Sequence, residues 1–424
     1  MNKKIGLVFP GSGSQYVGMG KKIYNDYGSV RQTFEEASEV LGYDLSKICL
    51  EGSVINLNKP RHVLASLLTI SVSYFRVYME EIGIAPSILA GHSLGEYSAL
   101  CCSGAISFED ALKILLKRGE LAERVCKLTN GTMSALNNVS HHIVQKICDE
   151  LQKKNYCVCI SCYNSKNQVL ISGNEDGIKL AEKEILKEHG EIVPFIGSPP
   201  YHSPLMKDII DELEEELRKH KYLDLSYPVI ANTTAKPYES KDMISEHLIQ
   251  HMYKPVRWLE SIEYMKGQGI DVIVEAGPSN VLKNLIKDQI PQMKVLAMDE
   301  IQDLEQLLKL KQTNYMSKNK LQDMKHKAIA MCLGIAVSTK NNNNDLEAHN
   351  TYLEAYKNIK NLRDKYAQDK SMIQDTHVIE AFTSLDKIFD SRLTSQQERQ
   401  YRYEQLIEQT KLQEIYCEFQ KQKS

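Results

Sequence analysis

The chain has 424 residues, of which 42% are hydrophobic and 25% charged, and its formal net charge is −3. That balance suits a globular protein of two or more domains with a well-buried core. It leaves no electrostatic footprint for nucleic acid and no polybasic contact for a membrane surface.

The N-terminal string Met1-Asn2-Lys3-Lys4-Ile5 runs straight into an apolar stretch and lacks the h-region of a signal peptide. No run reads as long enough to span a bilayer. Ten cysteines are scattered without a framework spacing, which points to a reduced, cytoplasmic protein. Cys157, Cys159 and Cys162 stand close together, but no histidine or further cysteine pair sits at ligand spacing. The alternation from Tyr156 to Cys162 predicts a strand with Cys157 and Cys159 buried on one face, and no metal is expected.

Ile5 to Phe9 reads as a buried strand, ended by the glycine-rich loop Pro10-Gly11-Ser12-Gly13-Ser14-Gln15. Amphipathic helices are predicted over Val30–Leu41 and Ala65–Ile82, then a strand at Ile88–Ala90 and a helix from Phe108 to about Val125. From Thr132 to Ile196 the order changes. Strand, helix, two strands, helix and a last strand (Glu191–Ile196) form the βαββαβ order of a ferredoxin-like unit. Helix–strand alternation then resumes, with a helix over Asp208–His220, a strand at Pro228–Ala231, a helix at Ile244–Met252, a strand at Val272–Val274 and a helix at Val281–Lys287.

The fold expected is therefore α/β: a large α/β-hydrolase-like subdomain (1–130 and 198–300) with an inserted ferredoxin-like subdomain (131–197). A helical C-terminal extension (301–424) follows, where the composition shifts towards lysine, glutamine, asparagine and tyrosine. Asn341–Asn344 reads as a loop. Three apolar stripes at helical spacing, Leu353 to Tyr366, Ile379 to Phe389 and Leu406 to Phe419, are expected to pack on one another or on the main body.

The chemistry centres on Gly91-His92-Ser93-Leu94-Gly95, between an apolar strand and a helix-like run. Gly-x-Ser-x-Gly in that setting is the nucleophile-elbow pattern, in which a tight turn lifts a serine hydroxyl out of the backbone. The glycines keep Cβ atoms out of the turn, and the helix N-terminus behind it favours a developing negative charge. Five such residues alone are common for packing reasons.

Six strings together are far more specific. Phe9-Pro10-Gly11-Ser12-Gly13-Ser14-Gln15, Gly91-His92-Ser93-Leu94-Gly95-Glu96, Arg118-Gly119, Tyr201-His202-Ser203-Pro204-Leu205-Met206, Tyr253-Lys254-Pro255-Val256-Arg257-Trp258 and Glu275-Ala276-Gly277-Pro278 occur in this order. From about residue 5 to 298 the chain resembles malonyl-CoA:acyl-carrier-protein transacylases. Stand-alone enzymes of that kind also serve modular polyketide synthases without built-in acyltransferases.

The resemblance implies a ping-pong acyltransferase that needs no cofactor, with malonyl-CoA as substrate and an acyl carrier protein as partner. Ser93 would be the nucleophile and His202 its base. The backbone carbonyl of His251, where relatives often carry glutamine, would orient His202. The oxyanion hole would use the N–H groups of Leu94 and Ser12, the latter replacing a common glutamine. Arg118 would pair with the malonyl carboxylate through its planar fork. Tyr201 would wall the acyl α-carbon, Leu94 likewise marks malonyl selectivity, Asn164 would line the site, and Ala122 would leave extra room. Two rival readings remain. An acyl hydrolase that clears stalled carrier proteins would keep Ser93 and His202 but tends to lack the arginine, and a docking subunit would carry the strings as relics.

Overall fold

A computed structural model describes residues 3–195, 197–343, 345–368 and 372–423. Ile196 and Asn344, the ends of an expected strand and an expected loop, lie outside the described residues. The chain divides into two compact units, Lys3–Lys311 and the residues from Gln312 onward.

Among the described residues the first unit holds ten strands: β1 (Ile5–Phe9), β2 (Ile88–Gly91), β3 (Gly131–Asn137), β4 (Val158–Tyr163), β5 (Gln168–Asn174), β6 (Glu191–Phe195), β7 (Val229–Ala231), β8 (Lys236–Pro237), β9 (Val272–Glu275) and β10 (Lys294–Ala297). Six form one sheet in the order β10-β9-β1-β2-β7-β8. Its first five strands run parallel, and only β8 is antiparallel to its neighbour. Every residue of β1, β2 and β9 is buried. This is why they read as unbroken apolar runs, since a parallel sheet carries helices on both faces.

The other four strands form a wholly antiparallel sheet, β4-β5-β3-β6, with the helices His141–Gln152 and Glu175–Lys187 packed on it. That order is the ferredoxin-like arrangement, set as an insertion into the α/β body. Cys162 is buried on β4, whereas Cys157 falls just before the strand and, like Cys159, is only partly buried. A register shift between Ile160 and Cys162 breaks the simple alternation that the sequence suggested.

Two long helices place the site. Pro60–Glu81 opens on Pro60, whose fixed φ and missing N–H cost nothing at a helix start. It is long and apolar enough to cross a membrane, contrary to the sequence expectation, but 83% of its apolar window is buried inside the fold. It is a core helix. Phe108–Thr129 is capped by the Ser107 hydroxyl, which accepts from Asp110 N–H at 3.0 Å. Asn130, in the left-handed region, ends it. Gly119 lets the two helices close, because a Cβ there would stand 3.0 Å from Leu64 Cδ1.

The expected helix over Asp208–His220 is shorter, Ile210–Leu217, and follows a 3-10 turn over Pro204–Ile209. Helices at Lys21–Asp26, Leu45–Glu51 and Trp258–Gly267, and strand β10, were not foreseen. Most are too short for periodicity to register.

The second unit is helical, with Leu346–Gln368, Asp375–Ser391, Gln396–Thr410 and Gln413–Lys423 following the helix Ile301–Ser338, which begins in the first unit. Ile359, Phe382, Phe389, Leu406 and Phe419 share one core. Phe382 meets Tyr403 and Phe419 edge-on, with ring centroids 5.9 and 5.5 Å apart. Leu353, expected in this stripe, is instead exposed.

Candidate active site

β2 ends at Gly91 and the helix Gly95–Cys102 begins four residues later, so the chain reverses around Ser93. The turn is possible because both glycines are bare. A Cβ on Gly91 would lie 1.9 Å from the Gly95 carbonyl carbon, and one on Gly95 would lie 2.0 Å from Phe9 O. Ser93 itself is held at φ 50°, a region that non-glycine residues enter only when the surroundings impose it.

The strain presents the hydroxyl to His202. Ser93 Oγ–H donates to His202 Nε2 at 2.7 Å, and His202 Nδ1–H donates to the backbone carbonyl of His251 at 2.6 Å. His202 also has positive φ, 60°, and its N–H donates to Met252 O at 2.8 Å. Among the described residues no carboxylate hydrogen-bonds to it. Burial, with the Arg118 charge adding to it, pushes His202 down to about 3, so the imidazole is neutral and Nε2 is free to accept a proton.

The ring of His251 lies 4.7 Å from that of His202, and its Nε2 is 3.6 Å from Glu96 Oε2. The separation suits an ion pair, but burial disfavours the charged form of both groups. Burial holds His251 well below the usual histidine range and lifts the Glu96 carboxyl to about 8, so both groups are neutral near neutral pH.

Ser12, Ser93, Arg118, Tyr201 and His202 all line one cavity of about 310 Å³. Arg118 is 1% exposed. Its Nε donates to Met252 Sδ at 3.3 Å, and its guanidinium lies 4.3 Å from the Tyr201 ring centroid and 5.5 Å from that of Tyr97. Nη2 is buried without a hydrogen-bond partner, and among the described residues Arg118 makes no ion pair. A buried cation in that state is costly until an anion reaches it.

Leu94 stands at the helix start and is buried. Ser93 N–H is taken by Asn232, and those of Gly95, Glu96 and Tyr97 by the carbonyls of His92, Ser93 and Leu94. That leaves the Leu94 N–H. Ser12 sits in the loop after β1, where Gly11 packs against His92 so closely that a Cβ would lie 2.5 Å from His92 O.

Asn164 does not line the cavity. It lies one side chain behind, accepting from His92 Nε2–H at 2.7 Å, while its Nδ2 donates to Gln168 Oε1 at 2.8 Å. Ala122 is fully buried and also absent from the wall, so its small size does not widen this cavity.

Sequence reasoning missed Asn232, Glu96, Tyr238 and Met252. Each acts across the fold, and nothing in the local pattern marks them. Glu96 closes the elbow string in sequence without a role of its own there, yet it is 1% exposed and accepts from Tyr238 O–H at 2.6 Å.

Comparison with known proteins agrees with this geometry. Residues 7–328 match the family described as acyl transferase domain. A malonyl CoA-acyl carrier protein transacylase from Bacillus subtilis is 37% identical over 300 residues, covering 71% of this chain and 75% of that relative. The solved malonyl CoA-acyl carrier protein transacylase from Coxiella burnetii superposes with a TM-score of 0.70 at 33% identity, covering 73% of this chain and 98% of its own. A malonyl-transacylase solved in complex with a type II PKS acyl-carrier protein gives a TM-score of 0.70 at 34% identity, over 72% and 99% of the two chains. With a match across some three quarters of its length and a serine–histidine pair at its elbow, the chain belongs to the acyl transferase domain family.

Proposed function

We propose that the protein is a malonyl-CoA:acyl-carrier-protein S-malonyltransferase, acting in fatty acid or polyketide assembly through a malonyl-serine intermediate. The observation that carries this reading is the buried, unpaired guanidinium of Arg118 in the cavity that holds Ser93 and His202. A hydrolase of neutral acyl groups has no use for such a charge.

His202 Nε2 takes the Ser93 proton as Oγ attacks the thioester carbonyl, and the His251 carbonyl holds the imidazole in the tautomer that can do so. The tetrahedral oxyanion is met by the N–H groups of Leu94 and Ser12. Collapse breaks the C–S bond, and the imidazolium returns its proton to the leaving CoA thiolate. In the second half, His202 deprotonates the phosphopantetheine thiol of the carrier protein, which attacks malonyl-Ser93, and the serine recovers its proton. Throughout, Arg118 pairs with the malonyl carboxylate. Asn164 keeps His92 in place beside the elbow rather than touching the acyl group.

In this reading residues 1–130 and 198–300 form the catalytic body, 131–197 the second wall of the cleft, and 301–424 an extension outside the chemistry. A cytoplasmic setting, and service to polyketide synthase modules as a separate acyltransferase, belong to the same proposal. Ten free thiols support the first, and a relative solved with a type II PKS acyl-carrier protein supports service to a polyketide carrier protein.

The test is differential. Arg118→Ala should cost malonyl-CoA roughly 2–5 kcal/mol in kcat/KM, the scale of leaving one member of a buried charge pair alone. Acetyl-CoA, with no carboxylate, should lose little or gain. Arg118→Lys should recover only part, because a point charge cannot reproduce the fork. Equal losses for both thioesters would make Arg118 structural and remove the case for malonyl.

Tyr201 is the second selectivity element, its ring lining the cavity with the Arg118 guanidinium over its face. Tyr201→Ser should improve methylmalonyl-CoA relative to malonyl-CoA by about 1–3 kcal/mol, the most a wall gains by rejecting one methyl. An unchanged ratio of kcat/KM values would place the discrimination elsewhere.

A further inference from the structure

We propose that Asn232 is a positioning residue, one that holds Ser93 in its reactive conformation by bonding the backbone on both sides of the elbow. The inference rests on the reading of Ser93 as nucleophile.

β7 pairs with β2 through Leu89–Val229 and Ala90–Ile230, and ends at Ala231. One residue further, the backbone ladder cannot continue, because the chain at Ser93 has turned away with φ 50°. The Asn232 side chain continues it instead. Nδ2–H donates to Gly91 O at 2.6 Å, and Oδ1 accepts from Ser93 N–H at 2.8 Å. The two contacts require opposite ends of the amide, so they fix which way it faces. The carboxamide thus acts as a surrogate peptide unit spanning the strained turn.

Asn232 is itself held from two sides. Its N–H donates to Glu96 Oε1 at 3.2 Å, and its carbonyl accepts from Arg257 N–H at 2.9 Å. Glu96 Oε1 also accepts from Tyr238, and burial keeps the carboxyl protonated near neutral pH. The clamp under the nucleophile is therefore uncharged. Glu96 meets Asn232 directly and Tyr238 reaches it only through Glu96, while the neutral His202 lies beyond Ser93.

Asparagine is singled out by this geometry. Alanine supplies neither contact. Aspartate, when ionised, points an oxygen at the Gly91 carbonyl, but when protonated it can donate there while still accepting from Ser93 N–H. The experiment measures the first-order rate of Ser93 acylation by malonyl-CoA, resolved from KM, for the parent, Asn232→Ala and Asn232→Asp. Asn232→Ala should acylate roughly 10²-fold more slowly with KM little changed, the cost of a misplaced reacting atom. Asn232→Asp should fall behind the parent at high pH, where its carboxyl is ionised, and the gap should close as pH falls and burial helps that carboxyl take up a proton; the variant-to-parent rate ratio is read, because the titration of Glu96 is shared by both proteins.

An Asn232→Ala variant that acylates at the parental rate overturns the proposal, as does an Asn232→Asp variant that follows the parental pH profile. Should the alanine form fail to fold, the aspartate profile decides. If the parent itself gains no malonyl group, the malonyl reading has failed rather than the clamp. Labelling of Ser93 by a fluorophosphonate then reads the same two variants, with the same rates expected and the same results overturning.

Discussion

Ser93→Ala is expected to lower malonyl transfer on the order of 10⁶-fold, the scale on which losing the nucleophile of a serine enzyme acts. The expectation follows from what else the cavity offers. Cys162 lines it too, but burial pushes its thiol up to about 12, so it carries no thiolate at working pH. Ser12 and Ser198 also face the space, yet neither hydrogen bonds to His202. Only Ser93 stands on a strained turn with a neutral imidazole 2.7 Å from its oxygen. The measurement is carrier-protein loading by purified parent and variant, with circular dichroism to show both are folded. Transfer by the alanine form within tenfold of the parent would mean the acyl group never passes through Ser93.

His202→Ala comes next, with an expected loss of about 10²–10⁴-fold in both half-reactions, the usual contribution of a positioned acid–base group. The remaining histidines near the elbow cannot substitute. His92 Nε2–H is committed to Asn164, and the side chain of His251 faces Glu96 while only its carbonyl serves the site.

The direction of the His202 shift adds a second signature. A histidine whose pKa falls on burial stays neutral as pH drops through its ordinary value, so the base form is kept. The acylation rate of the parent should therefore show no inflection near pH 6.5, and any loss from this group should begin only in strong acid. A clear break at the ordinary histidine value, or a His202→Ala rate equal to the parent's, would require a different base.

How much of this could be read from the residues differs between the parts. The elbow, the histidine after Tyr201 and the arginine before Gly119 each sit in a string that carries its own meaning. The βαββαβ order from β3 to β6 was legible because its strands are short apolar runs set apart by two helices whose apolar residues repeat cleanly. Asn232 was not, since its role depends on how β7 registers against β2, and the residues it bonds lie 139 and 141 positions away. Glu96 was hidden for a related reason. The helix it opens has apolar residues on every side and is buried all round, so no periodicity separates an inner face from an outer one. Asn164 was placed at the site by resemblance, and its distance behind His92 could come only from coordinates.

The most direct test weighs the intact protein. Incubated with malonyl-CoA alone, the parent should gain one malonyl group located on Ser93. On adding an acyl carrier protein bearing phosphopantetheine, that mass should leave the enzyme and appear on the carrier. A protein that stays unmodified, or one that loses the group to water while the carrier remains empty, would contradict a malonyl-serine relay between CoA and carrier protein.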